Sequence, residues 1–308
     1  MLSSAGADNL KEGETLRSIL AVCSAIAFSI GTASAETPLE RGSYLVNSIM
    51  ACGNCHTPKN AVGEPIADKE FAGGLSFSPP PFTATASNIT PDPDTGIGKW
   101  TDDEIKRAIT EGVRPSHGRL PGVPVAAIMA VNFFKALLPR DLDAVVVYLR
   151  SVKPVPNTVP DPVYKSAVHH DTYPDAEAGF TEESLHDPVR QGAYLVTIGH
   201  CMECHSTREK GVSDYVNGLG RGGRQFDPSL VQGFPADWQS SIARNITSHK
   251  SAGIGDWTDA EIKRAITQGV RRDGTKLKPP MSFASYAKMT DDDLNAIVAY
   301  LRTVPPKD

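Results

Sequence analysis

Gly96-Ile97-Gly98-Lys99-Trp100-Thr101-Asp102-Asp103-Glu104-Ile105-Lys106-Arg107-Ala108-Ile109-Thr110-Glu111-Gly112-Val113-Arg114 returns as Gly253-Ile254-Gly255-Asp256-Trp257-Thr258-Asp259-Ala260-Glu261-Ile262-Lys263-Arg264-Ala265-Ile266-Thr267-Gln268-Gly269-Val270-Arg271. Each copy holds a Thr-x-x-Glu box, whose side chains satisfy the first free amides of a helix. Each then reaches a glycine suited to a helix C-terminus. The pair therefore predicts two equivalent helices, from Thr101 to near Gly112 and from Thr258 to near Gly269.

The likeness extends outward in both directions. Arg41-Gly42-Ser43-Tyr44-Leu45-Val46 echoes Gln191-Gly192-Ala193-Tyr194-Leu195-Val196, and Asn88-Ile89-Thr90 echoes Asn245-Ile246-Thr247. Downstream, Leu142, Val145, Val146 and Leu149 match Leu294, Ile297, Val298 and Leu301, the i, i+3, i+4, i+7 stripe of an amphipathic helix. Further short helices are expected from about Arg41 to Cys52 and from Gln191 to Cys201. Repeated features in one order indicate two copies of one domain. No segment alternates as a strand, so the expected fold is all-α, with domains at 36–152 and 187–308. Pro154, Pro156, Pro160, Pro162 and Pro174 mark 153–186 as an extended linker.

The 308 residues suit about two domains, and the net charge of −5 argues against nucleic acid as a partner. Near the N-terminus, Arg17 precedes the apolar run Ile19–Phe28 and the small-residue stretch Ala33-Ser34-Ala35. This reads as a cleavable signal peptide over residues 1–35, hence export. The run is too short to be a convincing membrane span. Of five cysteines, Cys23 lies in that leader, and the other four form Cys52-Gly53-Asn54-Cys55-His56 and Cys201-Met202-Glu203-Cys204-His205.

CxxCH is the attachment signature of c-type haem: two thiols add to the vinyl groups and the adjacent histidine ligates iron. A zinc site would want further Cys or His ligands, and a thioredoxin-like pair a βαβ context, and neither pattern is present. The reading is two covalently bound haem c, held by Cys52 and Cys55 and by Cys201 and Cys204. His56 and His205 are the proximal ligands. A methionine on the opposite face is the usual partner in electron-transfer haems. Met202 lies inside a motif and Met50 just before one. Met281 follows Pro279-Pro280 in a loop able to cross the distal face, and aligning the last helices pairs it with Met129. Met129 lies fifteen positions after Arg114 but Met281 only ten after Arg271, and the longer loop carries His117 as a competing ligand. Asn88, Trp100, Asn245 and Trp257 recur in both copies and are candidates for hydrogen bonds around the haems.

These motifs together resemble the class I cytochrome c family, and more narrowly the cytochrome subunits of bacterial periplasmic dehydrogenases acting on alcohols or gluconate or containing molybdenum. The resemblance covers most of 40–152 and 187–305. It implies a periplasmic, non-catalytic electron carrier. The donor would be a dehydrogenase, the acceptor a terminal oxidase or another cytochrome, and association with the membrane peripheral. A dihaem enzyme is the alternative. A peroxidase would show two unlike haem domains, and a thiosulfate-oxidising cytochrome would use a cysteine ligand that this chain lacks outside its motifs and leader.

Overall fold

The computed structural model describes residues 35–308, so the expected signal peptide, Ala35 apart, lies outside the described residues. Helix α1 (Pro38–Asn47) opens on a capping box between Thr37 and Glu40, with Pro38 in the first turn, where its missing amide costs nothing. A short α2 (Cys52–His56) carries the first CxxCH. The repeated stretch forms α3 (Asp102–Thr110), followed by α4 (Val131–Phe134) and the amphipathic α5 (Pro139–Ser151). After α6 (Pro174–Ala178) come α7 (Pro188–Ile198), α8 (Cys201–His205), α9 (Asp259–Gln268), α10 (Phe283–Tyr286) and α11 (Asp291–Thr303). Both expected capping boxes, at Thr101 and Thr258, are formed, and the glycine after each helix has positive φ, 71° at Gly112 and 65° at Gly269.

Helices α1 and α5 cross closely, and so do α7 and α11. A Cβ added at Gly42 would stand 1.9 Å from the Ala144 carbonyl oxygen, and one at Gly192 would stand 1.9 Å from that of Ala296. No larger side chain fits either crossing without separating the helices. Arg41 donates to Asp141 through Nε (2.8 Å) and Nη2 (2.9 Å), while Gln191 donates to Asp293 at 2.9 Å. Two tyrosines then cross between these pairs. Tyr44 donates to Asp293 at 2.5 Å, and Tyr194 donates to Asp141 at 2.6 Å. Each phenol also accepts a backbone amide from the other half, Thr290 (3.0 Å) for Tyr44 and Leu138 (3.3 Å) for Tyr194. The exchange is reciprocal, and it satisfies carboxylates that burial would otherwise penalise.

The all-α expectation is corrected by the structure. Of the described residues 35 % are helical, and they include several β-sheets. A four-stranded antiparallel sheet runs in the order β3 (Val163–Tyr164), β2 (Phe82–Thr85), β1 (Ser76–Phe77), β7 (Val231–Gln232). Two hairpin-like pairs add β4 (Thr207–Glu209) with β5 (Val212–Asp214), and β6 (Gln225–Phe226) with β8 (Ser241–Ile242). Strands of two to four residues are too short to display alternation, so a periodicity reading passes over them. Their cause is local backbone satisfaction: loops this long must pair their amides and carbonyls with something. The sheet also joins distant parts of the chain, since Ser76 pairs with Gln232 and Phe77 with Val231. Strand β3 comes from the proline-rich stretch and pairs with β2. From the same stretch, the buried Tyr173 ring packs against Phe133 (centroids 4.6 Å apart) and edge-on against Tyr215 (5.1 Å), and those two rings also meet edge-on at 5.6 Å. Such aromatic contacts contribute about 0.5–1.5 kcal/mol each beyond area burial.

Candidate haem sites

Each CxxCH sits on its own one-turn helix, separated from the preceding helix by a bend. The bend is made by Ala51 (φ 49°) before the first motif and His200 (φ 41°) before the second. Left-handed backbone at a residue with a Cβ costs about 1–2 kcal/mol and persists only where the surroundings impose it. Here it turns the motif helix away from the helix before it. The four cysteines are partly buried and carry no disulfide. Burial pushes the thiols of Cys52, Cys201 and Cys204 up to about 12 and that of Cys55 up to about 11. These sulfurs are therefore poor thiolate ligands, and their surroundings suit a neutral thioether. Among the described residues no cluster of three or more His, Cys, Asp and Glu side chains is arranged to hold a bare metal ion.

The two histidines share one geometry. His56 Nδ1 lies 2.7 Å from the carbonyl oxygen of Ser87, and His205 Nδ1 lies 2.7 Å from that of Arg244. Burial holds both rings below the usual histidine range, although each carbonyl acts the other way. A neutral imidazole donating from Nδ1 leaves the lone pair on Nε2 for iron, the arrangement that fixes tautomer and ring direction in metal-bound histidines.

Those two carbonyls are placed by the residues that follow them. Asn88 is buried. Its Oδ1 accepts from the Thr90 amide (2.9 Å) and hydroxyl (2.7 Å), and its Nδ2 donates to Thr95 Oγ1 (3.0 Å) and the Val155 carbonyl (2.8 Å). Asn245 accepts from the Thr247 amide (2.9 Å) and hydroxyl (2.7 Å) and donates to the Lys307 carbonyl at 2.6 Å. Each Asn-Ile-Thr thus folds as a side-chain-closed turn and pins the chain that follows the last helix of its half. The residue immediately before each turn supplies the histidine acceptor. Sequence reasoning missed Ser87 and Arg244, because a backbone carbonyl has no side-chain signature. The signal that points to them is their place one residue ahead of the repeated asparagine.

In the first half the structure gathers the expected residues around one cavity. Cys52, His56, Asn88, Trp100 and Met129 all line it, with Ile97, Ile105 and Leu149 among its apolar walls. Its unfilled space is about 940 Å³, open mouth included. Trp100 Nε1 is buried without a hydrogen-bond partner, a donor left for a ligand, and Arg114 and Arg119 share its cavity. An apolar slot with a neutral histidine, the Cys52 sulfur at its edge and the unpaired Trp100 donor fits a haem with anionic propionates. Met50 lines the same cavity from the core. His117 instead pairs with Glu104 (Nε2–Oε1 2.9 Å), half exposed and outside the lining.

In the second half, Met281 is partly buried and follows a tethered segment. Ser241 donates to the Pro279 carbonyl and Asn54 to that of Pro280, the latter at 3.0 Å. Trp257 packs at the edge of the core. Cys55 and Cys204 pack against a single apolar cluster built on Leu75, Phe77, Phe226 and Trp238, so the two motifs approach each other.

The cytochrome c family model matches residues 189–305, one domain where two were expected. Over 92 % of its length the chain is 31 % identical to the cytochrome c subunit of a quinone-dependent alcohol dehydrogenase from Gluconacetobacter polyoxogenes, covering 61 % of that protein. It is 29 % identical over 88 % to the cytochrome c subunit of gluconate 2-dehydrogenase from Pantoea cypripedii, covering 60 % of it. It is 28 % identical to a dihaem c-type cytochrome of Cereibacter sphaeroides, with 82 % of each chain covered. The chain spans about three-fifths of the length of the dehydrogenase subunits it matches. With a CxxCH motif, a carbonyl-held histidine and a family match over the same residues, the chain carries a cytochrome c domain at 189–305 and is homologous to cytochrome subunits of dehydrogenases.

Proposed function

We propose that this chain is an exported dihaem electron carrier that accepts electrons from a dehydrogenase and passes them to a respiratory acceptor. The observation that carries the reading is the duplicated histidine geometry: His56 and His205 each give Nδ1–H to a carbonyl at 2.7 Å and keep Nε2 free. The repeated sequence around both motifs supports two haems, one per copy, and likeness to a dihaem cytochrome supports the same count. When bound, each haem supplies a one-electron Fe(III)/Fe(II) couple.

The chain's own residues do the rest. Cys52 and Cys55, and Cys201 and Cys204, would hold the haems through thioether bonds. Met129 and Met281 are the proposed methionine ligands, and with them bound the haems would carry electrons without taking up substrate. Ile97, Ile105 and Leu149 exclude water from the first pocket, which favours the less charged reduced state. The Trp100 donor is available to a propionate. The signal-like residues 1–35 support a periplasmic location. Among the described residues no helix is long and apolar enough to cross a membrane, and we propose peripheral association through the dehydrogenase. Relatives that are subunits of alcohol and gluconate dehydrogenases support a sugar- or alcohol-oxidising donor, with a terminal oxidase or another cytochrome as acceptor.

Axial methionine is tested by the weak far-red absorbance of sulfur-ligated ferric haem. The oxidised protein is expected to have this band, and Met129→His and Met281→His each to remove about half of it. Absence of the band, or rapid turnover of peroxide, would contradict the carrier reading.

A further inference from the structure

The two motifs differ in one contact that reaches from the first copy into the second. Asn54, between the cysteines of the first CxxCH, donates from Nδ2 to the Pro280 carbonyl at 3.0 Å. Pro280 immediately precedes Met281. The amide of Asn54 is held in that direction, because its Oδ1 accepts from Lys59 Nζ at 2.9 Å. Lys59 is itself fixed over the Phe234 ring, 4.7 Å from its centroid. Beside it the Ala236 amide donates to the Ala61 carbonyl at 3.1 Å, so the 59–64 loop is docked on the second half.

The reverse contact is chemically barred. Glu203 occupies the position of Asn54 in the second motif, and an ionised carboxylate has no hydrogen to give a carbonyl. Glu203 turns instead to Arg224 (Nη1–Oε1 3.5 Å) and His200 (3.2 Å). The first copy therefore braces the distal loop of the second, and the second does not return the brace through this position.

We propose that Asn54 is a positioning residue for the second haem: its amide holds the Pro280 peptide so that Met281 stays within reach of the iron carried by His205. The proposal rests on the reading of Met281 as that haem's sixth ligand. It makes the first attachment turn part of the second haem's ligand machinery, so the two centres differ in how firmly methionine is held.

Competition by external imidazole reads this directly, because an incoming imidazole displaces only a methionine that can let go. In full-length ferric protein carrying Met129→His, the remaining far-red band reports the second haem alone. Adding Asn54→Ala is expected to tighten imidazole binding there about fivefold, the factor that one hydrogen bond of ordinary net strength supplies. Asn54→Asp keeps the shape and the Lys59 contact but removes the donor, so it is expected to shift at least as far. In the Met281→His background, which reports the first haem, neither change should move the titration. If the Met129→His protein with Asn54 intact lacks the band, the Met281 reading fails. If the band is present and both Asn54 variants titrate as the parent does, or both haems shift equally, the positioning role is overturned.

Discussion

The chemistry of each candidate haem site comes down to one nitrogen. Nδ1 of His56 and His205 is committed to a carbonyl, and Nε2 is left with its lone pair. The CxxCH spacing makes these histidines legible from sequence, but their acceptors are not, since Ser87 and Arg244 act through backbone atoms. What repeats visibly is the asparagine that follows. Asn88 is buried and spends every polar atom on the turn and on the chain beyond α5. Asn88→Ala should therefore cost about 2–3 kcal/mol in denaturant unfolding, from unmade bonds to buried partners. It should also raise the potential of the first haem and leave the second unchanged, since His56 without its fixed acceptor is a less basic ligand and favours the ferric state less. Equal shifts at both haems would argue that the turn is only a generic prop.

At the scale of elements, the helices were legible because their ends are written in side chains. Thr101 with Glu104 and Thr258 with Glu261 form boxes at the predicted positions. The bends at Ala51 and His200 were not, because neither residue is a glycine and nothing local asks for left-handed backbone. The short strands escaped for want of length. The α1–α5 crossing carries a titratable lock. Burial pushes the Asp141 carboxyl up, but the hydrogen bonds and charge of Arg41, with Tyr194 and Arg140, outweigh it and hold it below the usual carboxylate range. A carboxyl with a depressed folded pKa contributes stability above its unfolded pKa of about 3.9, and that stability is lost as pH falls further. Asp141→Asn should cost about 2–3 kcal/mol at pH 7. Its stability should then fall less steeply than that of the parent as the pH drops below about 4, as chemical denaturation at stepped pH would record. A parallel decline would assign acid sensitivity to other carboxyls.

For the whole molecule, the joining of the halves is the feature least visible in sequence. Tyr44 and Asp293 lie 249 positions apart, and no local rule pairs them. The repeat does mark both residues, since Tyr44 and Tyr194 stand in one motif and Asp141 and Asp293 in another. The fold adds that each tyrosine serves the other half's aspartate. Strand β7 pairing with β1, and the cluster of Tyr173, Phe133 and Tyr215, tie the same parts together. The two CxxCH turns are thereby held close, with Cys55 and Cys204 against one apolar cluster. We propose that both turns carry haem through covalent bonds. Haem content per chain after denaturation and solvent extraction tests it most directly. Two haems per intact chain are expected, and one when either Cys52 and Cys55 or Cys201 and Cys204 are changed to alanine. Extractable haem, or one haem per chain with either cysteine pair dispensable, would contradict it.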